Sequence, residues 1–178
     1  MRLISHNIRL NLILLLIFFC IPFSLMASPI LKDFEGQFHT LDEYKVKDKW
    51  LVVMLWASDC QVCNQEAHQY VKFHAEHAKK DAAILGISLD GDAKKADGQA
   101  FMQKHKINFP SLIGEPESIA LLYQELTDNE WVGTPTFLVY GPDGELRGQQ
   151  VGAVPTETIE SFIARESASA PEATTTTK

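Results

Sequence analysis

Trp50-Leu51-Val52-Val53-Met54-Leu55-Trp56-Ala57 is an unbroken apolar run of strand length, rich in β-forming residues. A strand with one wet face would alternate with polar residues. This one has no polar side to offer, so it predicts a strand covered on both faces. Ser58-Asp59 breaks the run. From Cys60 to about Lys80 there is no Gly or Pro, and apolar residues recur at Val62, Ala67, Tyr70, Val71, Phe73 and Ala78, the pattern of a long helix. Ala82 to Leu89 (AAILGISL) is a second buried run. Strand, helix and strand in this order imply parallel strands joined by a helical crossover.

The remaining segments complete one α/β domain. Short alternating pieces flank Glu35-Gly36-Gln37, predicting a small hairpin, and Leu41 to Tyr44 predicts a helical turn. After the turn Asp90-Gly91-Asp92, residues 93–105 are helical in pattern, although Gly98 weakens them. Phe109 to Leu112 is extended, and Pro116 to Leu126 predicts a helix with Pro in its first turn. Thr136 to Tyr140 and Glu145 to Val151 are strands joined through Gly141-Pro142-Asp143-Gly144. Thr156 to Arg165 predicts a closing helix with Thr156 as N-cap. The domain spans 28–166, and no internal repeat is present. Residues 167–178 (SASAPEATTTTK) are poor in apolar residues and predict a disordered tail.

Residues 1–27 stand apart. Arg2 and Arg9 form a basic start, Leu12 to Ile21 is an apolar run, and Ala27 offers a cleavage point, which together predict a secretory signal peptide. The alternatives are an uncleaved membrane anchor, for which the run is short against the roughly 20 residues of a span, and lipid attachment at Cys20. The latter lacks small residues in Ile17-Phe18-Phe19. Loss of the segment with Arg2 and Arg9 takes the formal net charge from −7 to −9. So acidic a surface is a poor match for nucleic acid.

Loss of Cys20 with the signal leaves Cys60 and Cys63. A pair three residues apart closes too small a loop to stabilise a fold by constraining the unfolded chain. It reads instead as a redox pair. Cys60 opens a helix, where free N–H groups and the positive end of the dipole favour thiolate, the attacking species. Cys63, one turn in, suits the second step of exchange. Two other readings stay open: a merely local disulfide, and half of a zinc site completed by His68, His74 or His77. Zinc needs ligands converging on one point. His74 and His77 lie roughly 15 Å or more along the axis from Cys60, at 1.5 Å per residue, so no metal is expected.

Trp56-Ala57-Ser58-Asp59-Cys60-Gln61-Val62-Cys63, with Glu66 three residues on, resembles the active-site segment of thioredoxin-fold proteins. The closer likeness is to the TlpA/ResA-like group of exported bacterial thiol-disulfide oxidoreductases. Asp33-Phe34-Glu35-Gly36-Gln37 with Leu41 and Tyr44 resembles that group's opening. Gly133-Thr134-Pro135-Thr136 ahead of Gly141-Pro142-Asp143-Gly144 resembles its later part, so the likeness covers roughly residues 29–165. It implies a thioredoxin-like fold, a central mixed sheet flanked by helices with an N-terminal β-hairpin extension. Cys60 would be the nucleophile, Cys63 the resolving thiol, and Glu66 a proton donor or acceptor. Pro135 would be a cis-proline facing the pair, and Thr134 would bind the client backbone. Trp56 is grouped with this client-binding region and is expected to pack beneath the site.

The resemblance further implies a monomeric periplasmic reductase of disulfide-containing client proteins, with apocytochrome c one conceivable client. It would be recharged by a membrane electron donor of the DsbD or CcdA kind, with no cofactor beyond the Cys60–Cys63 disulfide. An oxidase or isomerase using the same cysteines is the alternative within this chemistry, and a metal-delivery module the alternative outside it. A peroxidase, which would need a lone reactive cysteine, is rejected. The chain departs from thioredoxin in three places. Met54 replaces a buried aspartate, and Asp59 stands where Trp is frequent and opposes thiolate formation. Gln61-Val62 contains neither Pro nor His.

Overall fold

The computed structural model describes residues 30–169, so the signal segment and the tail from residue 170 lie outside the described residues. Two strands open the domain, β1 (Ile30–Asp33) and β2 (Phe38–Thr40), followed by a 3-10 turn at Leu41–Tyr44. The central strand β3 (Trp50–Trp56) leads into helix α1 (Gln61–His77), then β4 (Ala82–Ser88) and α2 (Lys95–His105). After β5 (Ser111–Ile113) come α3 (Pro116–Thr127), β6 (Thr136–Tyr140), β7 (Leu146–Val151) and α4 (Thr156–Ser169).

The strands form one seven-stranded sheet in the order β2-β1-β5-β4-β3-β6-β7. β3, β4 and β5 run parallel, and β6 and β7 add antiparallel strands on one side. The N-terminal hairpin joins the other side, β1 pairing antiparallel with β5. It is therefore a continuation of the main sheet as well as a hairpin. Asp33 shapes its turn: Oδ1 accepts from the N–H groups of Glu35 and Gln37, and Gly36 takes a φ of 88° that a side chain would strain.

Every residue of β3 is buried. Trp50, Val52, Met54 and Trp56 enter one core with Cys63, Tyr70 and Phe73 of α1. Leu51, Val53 and Leu55 enter a second core with Ile119, Leu122 and Tyr123 of α3. The unbroken apolar run thus reflects two hydrophobic layers, one on each face of the sheet.

Several boundaries differ from expectation, and those nearest the chain's end and the cysteines matter most. The closing helix continues past Arg165 to Ser169, so residues 167–169, expected in the tail, are helical. Thr156 is its first residue rather than its N-cap, and the Thr156 N–H donates to the side-chain oxygen of Gln69 at 3.0 Å. α1 begins at Gln61, with Cys60 itself as the cap. Among the described residues, no helix is long and apolar enough to cross a membrane.

Candidate active site

Cys60 and Cys63 are joined in a disulfide, with Cα atoms 5.2 Å apart. That spacing lies within the range the bond tolerates, and a first helical turn supplies it. Cys60 has extended backbone angles as N-cap, and its Sγ accepts the Cys63 N–H at 3.0 Å. The two sulfur-bearing residues differ in access. Cys60 is partly exposed, whereas Cys63 is 0% exposed within the core beside Ala67 and Tyr70. Solvent reaches the first and not the second.

The loop between β3 and α1 is held from two sides. On one side is Asp90, just beyond β4 and only 6% exposed. Its carboxylate accepts from Ser58 N (3.0 Å), Ser58 Oγ (2.7 Å) and Ser88 Oγ (2.6 Å). A buried carboxylate is tolerable only with such partners. On the other side, Asn64 Nδ2 donates to the carbonyls of Ser58 (2.9 Å) and Cys60 (3.0 Å). Asn64 Oδ1 faces Lys104 Nζ at 2.9 Å and His105 Nε2 at 3.0 Å. Asp59, expected to oppose the thiolate, is paired with Lys94 at 2.7 Å. The Lys94 hydrogen bond holds the Asp59 carboxyl below its ordinary pKa and raises that of Lys94.

The Thr134–Pro135 peptide is cis. β3 and β6 pair with Leu55 opposite Thr136, so Pro135 stands level with Trp56, at the end of β3 that leads into the cysteines. Pro135 O accepts the Gly152 N–H at 2.8 Å, and Thr136 Oγ1 donates to Gly133 O, so both flanks of the cis bond are tied down. Glu66 is partly buried on α1, and its carboxylate accepts from the Gln69 amide. Tyr70, next along, has its pKa pushed up to about 12 by burial and donates to Val154 O at 3.0 Å.

Trp56 does not belong with the client-binding residues. It is 1% exposed and stacks on Phe101 at 4.4 Å between ring centres. It is closed to solvent and fills the core beneath the disulfide. The α1 histidines are also engaged. His68 Nδ1 lies 3.0 Å from Gln65 O, and His74 Nδ1 accepts the Ile84 N–H. His77 lies 2.9 Å from Asp81 and groups with Glu76 and Glu160 at the far end of the helix from the cysteines.

The sequence alone does not mark Asn64, Asp90, Lys94, Lys104 and His105 as site residues. Each is a common polar residue on a helix, in a turn or at a strand end. Its importance arises from a partner some 30 to 40 positions away, as with Ser58 and Asp90 or Asn64 and His105. The one local hint was Ser58-Asp59: two short polar residues ending a buried strand need partners for the freed backbone.

A thioredoxin-like α/β domain carrying a CxxC disulfide at a helix start is the class that fold and site define. The chain belongs to the AhpC/TSA family, whose sequence profile matches residues 23–149. It is similar to the thiol-disulfide oxidoreductase ResA of Oceanobacillus iheyensis, at 24% identity over 119 residues. That match covers 66% of this chain and 57% of the relative, so it spans little more than half of that protein's length.

Solved structures share the fold, two of them as follows. The thiol:disulfide interchange protein of the thioredoxin family from Chlorobium tepidum superposes with a TM-score of 0.64 at 19% identity, covering 78% of this chain and 93% of that one. The thioredoxin domain of a thiol-disulfide oxidoreductase from Bacteroides vulgatus gives 0.62 at 19% identity, covering 78% and 99%. The TlpA/ResA-like resemblance and the thioredoxin-like fold read from the sequence both hold.

Proposed function

We propose that the protein is an exported thiol-disulfide oxidoreductase that reduces disulfides in client proteins. The observation that supports this most is the pairing of a reachable Cys60 at a helix N-terminus with a fully buried Cys63 one turn on. In the reduced protein the Cys60 thiolate attacks one sulfur of a client disulfide. The Cys60–client bond forms, and the client's other sulfur leaves as thiolate and takes a proton. Cys63 then gives up its proton and attacks Cys60 Sγ. The Cys60–Cys63 bond forms, and the client's second sulfur departs as thiolate and is protonated. The client gains two electrons and two protons, and the protein ends oxidised.

Glu66 is proposed to take the proton that Cys63 releases, three residues away on the same helix. Thr134 is proposed to offer its backbone to an extended client segment, with the cis Pro135 facing the pair. Return to the dithiol requires an outside reductant, and a membrane donor of the DsbD or CcdA kind is the proposed source. The protein is proposed to act as a monomer in the periplasm or an equivalent exported space, released or tethered through residues 1–27.

The test is the reduction potential of the Cys60–Cys63 pair in a glutathione or dithiothreitol series. A potential near about −270 mV supports the reductase direction, and one near about −120 mV overturns it in favour of an oxidase. A Cys63→Ser variant should accumulate mixed disulfides with its clients, because the resolving sulfur is gone. Their absence from cells expressing it would count against client exchange in either direction.

A further inference from the structure

The amide of Asn64 sits between the active-site loop and the end of α2, and its orientation is fixed by chemistry. Lys104 Nζ can only donate, so the atom facing it at 2.9 Å is the amide oxygen. The carbonyls of Ser58 and Cys60 can only accept, so the atom facing both is the amide nitrogen. His105 must then donate from Nε2 to the same oxygen. Burial foremost, then Lys104 and His68, push the pKa of His105 down, which leaves Lys104 as the cation of the group.

The result is a short relay in which an ammonium draws on the amide oxygen and the amide hydrogens draw on the carbonyl of Cys60. Charge-assisted hydrogen bonds of this kind are stronger than neutral ones. The relay steers the Cys60 carbonyl dipole toward Asn64 and brings positive charge within two hydrogen bonds of the carbonyl of the residue that carries the nucleophile. The titratable groups around Cys60 are Asp59 on its loop, Asp90 bound to Ser58 of that loop, Lys94 ahead of α2, Lys104 and His105 at the end of α2, and Glu66 and His68 on α1. Asp59 is already paired with Lys94, so Lys104 is the cation that the geometry couples to the cysteine loop.

We propose that Asn64 is a positioning residue for the Cys60 thiolate, coupling the loop to Lys104 and so stabilising the reduced state of the pair. This rests on the thiol-disulfide exchange proposed above. A stabilised thiolate makes a disulfide more oxidising, so removal of the relay should make the pair more reducing.

The experiment uses the full chain and two variants, Asn64→Ala and Lys104→Met. Each is equilibrated with glutathione, and in the reduced state the pH dependence of Cys60 alkylation by iodoacetamide is recorded. For Asn64→Ala the equilibrium should shift roughly tenfold toward the protein disulfide, about 30 mV more negative for a two-electron couple, and the alkylation midpoint should rise. Lys104→Met, on an exposed side chain, should shift both in the same direction by about threefold. It decides the matter if Asn64→Ala does not fold. Lowered thermal stability with an unchanged potential and alkylation profile would make Asn64 a structural residue only and overturn the inference. Unchanged variants of a protein that does exchange with glutathione sink the inference alone. Failure of the unaltered protein to exchange sinks the functional reading and the inference together.

Discussion

Asp59 is the residue most at odds with a reactive Cys60, since a carboxylate next in sequence raises the cost of a thiolate. Lys94 answers it at 2.7 Å. Asp59→Asn should therefore speed alkylation of Cys60 at pH 7 by about threefold, and Lys94→Gln should slow it by a similar factor. Both side chains are more than half exposed, so salt should screen the effect. The check is the alkylation rate of the reduced protein at low and high ionic strength. Opposite signs that shrink with salt support the pairing; a change of the same sign in both variants refutes it. The liability of Asp59 was visible in the sequence because it acts on its neighbour. Its neutralisation was not, because Lys94 lies 35 positions on. The Cys60–Cys63 disulfide was legible for the opposite reason, since CxxC lies within one helical turn, and the cis bond before Pro135 followed from the family resemblance of the Thr134-Pro135 segment.

At the scale of elements, apolar runs announced β3, β4 and β6 and spaced apolar residues announced α1, because strands buried on both faces and an amphipathic helix leave local patterns. The three-residue strand β5 overlaps the extended segment 109–112 read from the sequence, but its antiparallel partnership with β1 left no local sign, since pairing between distant segments is set by the whole sheet. Gly98 shows how a local rule misleads. On propensity alone it weakens α2, and Gly98→Ala should stabilise that helix by about 1 kcal/mol. Yet a Cβ there would meet Asp90 Oδ2 at 2.9 Å and the Phe34 ring at 3.0 Å. Asp90 has little room to retreat, since Ser88 and Ser58 hold its carboxylate at 2.6 and 2.7 Å. Gly98→Ala should therefore destabilise the protein by about 1–3 kcal/mol, the usual cost of overpacking. It should also loosen Ser58 at the mouth of the site. Urea unfolding measures the first effect. A more stable variant would show that the helix can shift away from Asp90.

The stability of the whole molecule should depend on pH through His74. Its Nδ1 accepts the N–H of Ile84 at 3.0 Å, tying α1 to the buried strand β4, and burial holds its pKa below the ordinary histidine value. Protonation ends that acceptance. The unfolded chain takes up the proton near pH 6.5 and the folded chain only at a lower pH. Between those two values the unfolded state binds more protons, so stability is full above about pH 6.5 and falls as the pH drops toward the folded value. His105, also lowered, acts in the same direction. His39, whose pKa is raised by Glu43 and Asp33, acts in the opposite one, its stabilisation being full below the unfolded value and lost as pH rises. His74→Asn separates the contributions, because its amide oxygen can accept from Ile84 without titrating. Its denaturation midpoint should drop less between pH 7.5 and pH 5 than that of the unaltered protein. His74→Ala leaves the buried Ile84 N–H unpaired and should cost about 1–3 kcal/mol at pH 7.5. An Asn variant that loses as much stability on acidification as the unaltered protein would remove His74 as the source and leave His105 as the group to test.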